Sequence, residues 1–209
     1  VKDGVLMFTF PDFAVTVEEE KRQAADPKAA EEVKSELNEI IGLSEVKDYV
    51  LSLEQNYIIQ RLREARGMKA DVPTMHMIFT GNPGTGKTTI ARLVSRYLKA
   101  MGVLSGGQLI EVTRADLVGK YVGHTAPLTQ QVIRSALGGV LFIDEAYSLY
   151  RGADDSFGLE AIDTIVKGME DHREDLIVIL AGYTKEMEAF LTANSGLRSR
   201  FPNIIEFPD

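Results

Sequence analysis

The chain has 209 residues, a net charge of −8 and no cysteine. Its length supports one sizeable core with a small appendage, and the lack of cysteine excludes a disulfide framework, a thiolate metal site and a cysteine nucleophile, which fits a reducing, cytoplasmic setting. The acidic balance weighs against broad binding to nucleic acid, and no apolar run nears the ~18 residues of a membrane span.

The chain opens on Val1 with no signal-peptide pattern, so a fragment or processed product is expected. Leu6, Phe8 and Phe10 alternate as a short strand does, and Glu18 to Arg22 reads as a solvated charged face. After Asp26-Pro27, a helix-start pair, Ala30, Val33, Leu37, Ile40 and Ile41 keep helical spacing up to Gly42. Ser44 then caps a second helix whose Val46, Val50, Leu53, Tyr57 and Leu62 form one apolar stripe ending at Gly67. The I-I-G-L between these helices is, on its residues alone, an ordinary helix-helix turn.

Met75, Met77, Ile78 and Phe79 read as a buried strand, and Ile90, Leu93, Val94 and Leu98 recur at helical spacing. Between them runs G-N-P-G-T-G-K-T-T, Gly81 to Thr89. Strand, glycine-rich turn and helix are the context that a P-loop requires. Gly81, Gly84 and Gly86 would let the backbone bring its N–H groups around a β-phosphate, with Asn82, Pro83 and Thr85 completing the nucleotide-binding loop, and the helix N-terminus at Lys87, Thr88 and Thr89 adds partial positive charge. Lys87 is expected to reach the β- and γ-phosphates of ATP or ADP, and the Thr88 hydroxyl to complete a Mg²⁺ shell.

Leu109 to Val112 reads as a strand, Ala115 to Gly123 as a helix-to-loop passage, and Pro127 to Leu137 as a helix stopped by Gly138-Gly139. V-L-F-I-D-E, Val140 to Glu145, is a covered parallel strand that delivers two carboxylates to its end. Asp144 would hold the magnesium, and Glu145 would polarise the water that attacks the γ-phosphate. Phe157 to His172 is an amphipathic helix and Leu176 to Leu180 a strand closing on A-G-Y-T, so Tyr183 or Thr184 can bring a hydroxyl near the γ-phosphate. Lys185 to Ala193 reads as a short helix; a loop, L-R-S-R-F-P, and a strand from Ile204 to Phe207 follow. His76, His124 and His172 are scattered without ligand spacing, so structural or surface roles are expected of them.

Together these runs, with A-D-L-V-G-K-Y-V-G-H-T-A and I-E-F-P-D, resemble the AAA+ ATPases. Within them, Ile41 to Asp209 is similar to the group that holds the stage V sporulation protein K type ATPases and the CbbX-type red Rubisco activases. The resemblance implies a three-layer α/β/α core with a five-stranded parallel sheet in the order 5-1-4-3-2. It divides the chain into an extension, residues 1–39, and a nucleotide-binding domain, residues 40–209.

It also implies that Ile41 and Gly42 contact adenine, and that Lys120, Tyr121, Val122 and Gly123 form a pore loop whose tyrosine grips a polypeptide. Arg200, with Arg198 beside it, matches an arginine finger that reaches a neighbouring subunit, and Tyr183 or Thr184 takes the sensor-1 place, where many relatives have Asn. On residues alone the tyrosine would be packing and the arginines surface charge. The family adds a helical lid after this core, so a truncated core is expected, monomeric and slow by itself and a hexameric ring when the lid is present. The expected activity is ATP-driven remodelling of a protein substrate, sporulation protein K-like or Rubisco-activating. The rivals are a nucleotide-dependent scaffold and a nucleic-acid motor, which the acidic charge disfavours.

Overall fold

The computed structural model describes residues 25–40, 42–66 and 74–208. The expected strand at Leu6 to Phe10, the charged run at Glu18 to Arg22, Ile41 and the helix stop at Gly67 lie outside them.

Five strands build one parallel sheet: β1 (Met77–Thr80), β2 (Leu109–Val112), β3 (Gly139–Ile143), β4 (Leu176–Gly182) and β5 (Asn203–Glu206). Their spatial order is β2-β3-β4-β1-β5, which read from the other edge is the expected 5-1-4-3-2. Every residue of β1, β3 and β4 is buried. That is why those runs are continuously apolar instead of alternating: helices cover both faces.

Successive side chains on each strand divide between two cores. Met77, Phe79, Val140, Phe142, Ile177 and Ile179 pack with α1 (Pro27–Glu39), α2 (Ser44–Ala65) and α3 (Lys87–Ala100). Ile78, Leu141, Ile143, Val178 and Leu180 pack on the other face, against α5 (Thr125–Ala136), α6 (Ser156–Asp171), α7 (Thr184–Ala193) and α8 (Ser195–Arg200). A one-turn helix, α4 (Arg114–Leu117), follows β2, and a 3₁₀ turn, Ala146–Leu149, follows β3. Parallel strands with crossover helices bring the carboxyl ends of β1, β3 and β4 to one edge of the molecule.

The helix α1 is part of this core. Ala30, Val33 and Leu37 are buried in the α3 face, and Arg96 closes a two-bond ion pair with Glu36 at 2.6 and 2.7 Å. Three expectations need correction. Leu62 is exposed, with Ile58 and Ile59, because the buried stripe of α2 ends at Leu53 and the half-buried Tyr57. The S-G-L-R-S-R run is the helix α8 and not a loop, and α5 begins at Thr125, with Pro127 inside its first turn, where no helical N–H bond is lost. Among the described residues no helix is long and apolar enough to cross a membrane.

Candidate active site

The loop leaving β1 is shaped by two backbone constraints. Gly81 sits at φ +145°, and a Cβ there would lie 2.6 Å from the Phe207 carbonyl oxygen, because the chain after β5 crosses at that point and the Phe207 N–H bonds to the Thr80 carbonyl at 2.7 Å. Gly86, in the left-handed region at φ +92°, is the N-cap of α3, so Lys87 is its first residue. The loop closes on itself: the Lys87 ammonium donates to the carbonyls of Gly81 (2.9 Å) and Asn82 (2.7 Å), and the Thr85 hydroxyl donates to the Asn82 carbonyl at 2.8 Å. What remains outward is the set of N–H groups at the start of α3, which have no intrahelical partner.

Asp144 and Glu145 follow β3 directly. The Asp144 N–H bonds to Val112 on the neighbouring β2 at 2.9 Å, and the Asp144 carboxylate accepts the Glu145 N–H at 2.9 Å. Glu145 itself is left-handed, at φ +46° and ψ 44°, and caps the 3₁₀ turn. A side chain larger than glycine in that conformation costs about 1 kcal/mol, a strain that the surrounding structure must hold.

These elements share one cavity of about 370 Å³. Pro83, Gly84, Gly86, Lys87, Thr88 and Thr89 line one side of it, and Asp144, Glu145, Gly182 and Tyr183 the other. Burial pulls the Lys87 pKa down, and the nearby Asp144 charge pushes it back up. Of the two alternatives after β4, Tyr183 faces the cavity; Thr184, the first residue of α7, does not line it. Asn82 and Thr85 support the loop from outside the lining.

Tyr147 was not foreseen: its ring lies 5.8 Å from that of Tyr183, and burial with the neighbouring Glu145 charge pushes its pKa up to about 12. Thr88 and Asp144 give the cavity a hydroxyl and a carboxylate oxygen, hard donors of the kind that hold Mg²⁺ when phosphates and water complete the shell. Among the described residues no group of three or more His, Asp or Glu side chains is disposed to bind a metal by itself.

The Lys120–Gly123 stretch lies away from this cavity. Tyr121 is 68% and Val122 87% exposed, and the Tyr121 ring meets His124 edge-on at 5.5 Å. Two wholly buried threonines pin the base of the loop: Thr125 accepts the Gly119 N–H at 3.1 Å, and the Thr129 hydroxyl donates to the Leu117 carbonyl at 2.8 Å.

Arg198 and Arg200 sit on α8 and do not line the cavity of their own chain. Arg200 is held by Glu170 of α6 through Nε at 3.0 Å and through Nη2, and its Nη1 donates to the Gly196 carbonyl at 2.9 Å. Arg198 is exposed and has no ion pair among the described residues. Gly42 and Leu43 are consecutive left-handed residues at φ +77° and +55°. Lys47 fastens that turn by donating to the carbonyls of Asn38, at 3.2 Å, and Ile40. Gly42 is not part of the cavity lining.

The sheet order and the glycine loop at its carboxyl edge define a P-loop nucleotide-binding fold. The chain belongs to the AAA family, the ATPases associated with various cellular activities, whose pattern matches residues 77–209. It is 51% identical over 178 residues to "Stage V sporulation protein K" of Bacillus subtilis (strain 168), covering 85% of this chain and 55% of that protein. It is 49% identical over 190 residues to "Protein CbbX" of Cereibacter sphaeroides, covering 90% and 62%. The same identity, over 172 residues, relates it to a chloroplastic ribulose bisphosphate carboxylase/oxygenase activase of Cyanidioschyzon merolae, covering 82% and 59%. The chain thus spans somewhat over half the length of these relatives. In fold it is similar to the FIGL-1 AAA domain solved with ADP, with a TM-score of 0.54, 23% identity and coverage of 80% of this chain and 54% of that one.

Proposed function

We propose that the chain is the catalytic core of a cytoplasmic ATP-hydrolysing remodeller that works as a hexameric ring on a protein substrate. The observation that carries this reading is the single cavity in which Lys87, Thr88, Asp144, Glu145 and Tyr183 meet. ATP would lie with its phosphates on the loop from Pro83 to Thr89, and Ile41 and Gly42 would contact the adenine. Lys87 exchanges its bonds with Gly81 and Asn82 for the β- and γ-phosphates. Thr88 and Asp144 would hold Mg²⁺, which neutralises charge building on the phosphates. Glu145 orients and polarises the attacking water, and Tyr183 senses the γ-phosphate through its hydroxyl. Arg200 and Arg198 would reach the nucleotide of the next subunit, Arg200 after leaving Glu170. Tyr121, flanked by Lys120, Val122 and Gly123, would engage the polypeptide.

Relatives named for sporulation and for Rubisco activation lie at 51% and 49% identity, and both support the same motor with two candidate targets. Nucleotide affinity and turnover of the parent, Lys87→Ala and Glu145→Gln test the reading. Glu145→Gln should lower turnover by about 10²-fold or more while affinity holds, and Lys87→Ala should lose affinity first. Unchanged turnover in Glu145→Gln rejects the mechanism. Tight binding with no turnover even when the protein is assembled into its ring would favour a nucleotide-gated scaffold.

A further inference from the structure

The side chain of Arg114 is only 16% exposed, beside Asp155 at 13%, a rare environment for a guanidinium. It makes four hydrogen bonds. Nη1 and Nη2 form a two-bond pair with the Asp155 carboxylate at 2.7 and 3.0 Å, and Nη1 also donates to the carbonyls of Ser148 and Leu149, both at 3.0 Å. Asp155 in turn caps α6 by accepting the Gly158 N–H at 3.1 Å. Gly158 is required for this approach, since a Cβ there would stand 2.0 Å from the Leu149 carbonyl oxygen and 2.8 Å from Arg114 Nη1.

The partners of Arg114 are informative. Ser148 and Leu149 close the 3₁₀ turn whose N-cap is Glu145, and the Ser148 N–H bonds back to the Glu145 carbonyl at 2.8 Å. A left-handed glutamate is strained, so the grip on the far end of its turn helps to fix where its carboxylate stands. Arg114 itself opens α4, whose last residue, Leu117, carries the carbonyl that anchors the exposed 118–124 loop through Thr129. One arginine therefore links the turn behind Glu145 to the short helix from which the Tyr121 loop departs. Its planar fork is suited to this; a lysine could supply one point of contact but not the paired geometry.

We propose that Arg114, locked by Asp155, is a positioning residue that couples the Glu145 turn to the Tyr121 loop, so that a change at the nucleotide cavity is felt at the loop. The proposal rests on the nucleotide-binding reading above. It does not depend on the identity of the protein substrate.

The chain has no tryptophan, so Tyr121→Trp installs a single tryptophan on the loop, whose emission is excited selectively over that of the tyrosines. In that background, the emission change at saturating ADP and at saturating non-hydrolysable ATP is compared for Arg114, Arg114→Gln, Arg114→Lys and Asp155→Asn, with affinities from calorimetry and folding from thermal melts. The expected result is a nucleotide-dependent signal with Arg114 that falls about fivefold or more in the variants, while affinity stays within about threefold. Should Arg114→Gln not fold, the milder Arg114→Lys and Asp155→Asn carry the test. A merely structural role would lower the melting temperature and leave the signal per bound nucleotide intact, and that result overturns the proposal. So does a parent that binds nucleotide with no signal. A parent that binds no nucleotide overturns the reading of the cavity, and this coupling with it.

Discussion

The cavity and the exposed loop solve opposite problems, and the strand that leads to the one and the base of the other are held by buried polar side chains of different kinds. The cavity is written mainly in backbone: a glycine crossed by the Phe207 carbonyl, a left-handed helix cap, and a strained Glu145. The loop presents side chains, Tyr121 and Val122, with little contact of their own. At the start of β1, the end of the strand away from the P-loop, lies His76, buried, with Nδ1 accepting the Val178 N–H at 3.0 Å and the Phe201 ring 5.7 Å away. Under the loop lie Thr125 and Thr129. An anion cradle needs fixed donors, whereas a loop that engages a polypeptide, the role proposed for Tyr121, needs free side chains on a fixed base. The two anchors also differ in that only one titrates.

That difference gives the largest expected effect. Burial holds the His76 pKa down at about 4, against about 6.5 in an unfolded chain. The depressed value means the unfolded chain binds the proton more readily, so the stabilisation is complete above pH 6.5 and is lost as the pH falls toward 4. Complete loss amounts to about 3 kcal/mol. Paired carboxylates such as Glu54 and Asp155, both held low by their cationic partners, add acid sensitivity of their own. Comparison with His76→Gln, which keeps an acceptor and cannot titrate, isolates the histidine. Denaturant unfolding at pH 7.5 and 4.5 should show a smaller acid loss in the variant; equal losses would remove His76 from the account.

Much of this was legible in the sequence because the signals are local. A P-loop is contiguous, and covered parallel strands announce themselves as unbroken apolar runs, so the order of elements and the meeting of Lys87 with Asp144 followed. What was not legible is set by distant partners or by single-residue boundaries. Arg114 and Asp155 are 41 residues apart, and nothing near either residue names the other. Tyr183 rather than Thr184 faces the cavity because β4 runs to Gly182 and α7 begins at Thr184. A helical stripe tells which face of α2 is apolar but not where the core ends, which is why Leu62 is exposed. The α8 helix is six residues long with a glycine in it, too short for a period to register.

A smaller effect sharpens the contrast from the side of the loop. Thr129→Val keeps the shape of the side chain and removes its hydroxyl, leaving the Leu117 carbonyl without that buried donor. The expected loss is about 1–2 kcal/mol, and it should be the same at pH 7.5 and 4.5 because a threonine does not titrate. Nucleotide affinity should be unchanged, since neither Thr129 nor Leu117 lines the cavity. A fall in affinity matching the fall in stability would mean that the two regions are one structural unit.

The smallest expected change in stability falls on the most exposed aromatic ring among the described residues. Tyr121 is 68% exposed and its ring touches only His124 edge-on among the described aromatic contacts, so truncation removes little buried area. Tyr121→Ala should therefore move the unfolding free energy by no more than about 0.5 kcal/mol. A tyrosine that served packing would behave differently, because losing a buried aromatic side chain costs about 3–5 kcal/mol. A measured loss above about 1 kcal/mol, roughly twice what surface positions usually give, would identify Tyr121 as a packing residue and remove the support for the proposed gripping role. With stability unchanged, the same variant becomes the cleanest probe of substrate engagement: any loss of protein binding or of substrate-stimulated ATP turnover then belongs to the ring itself.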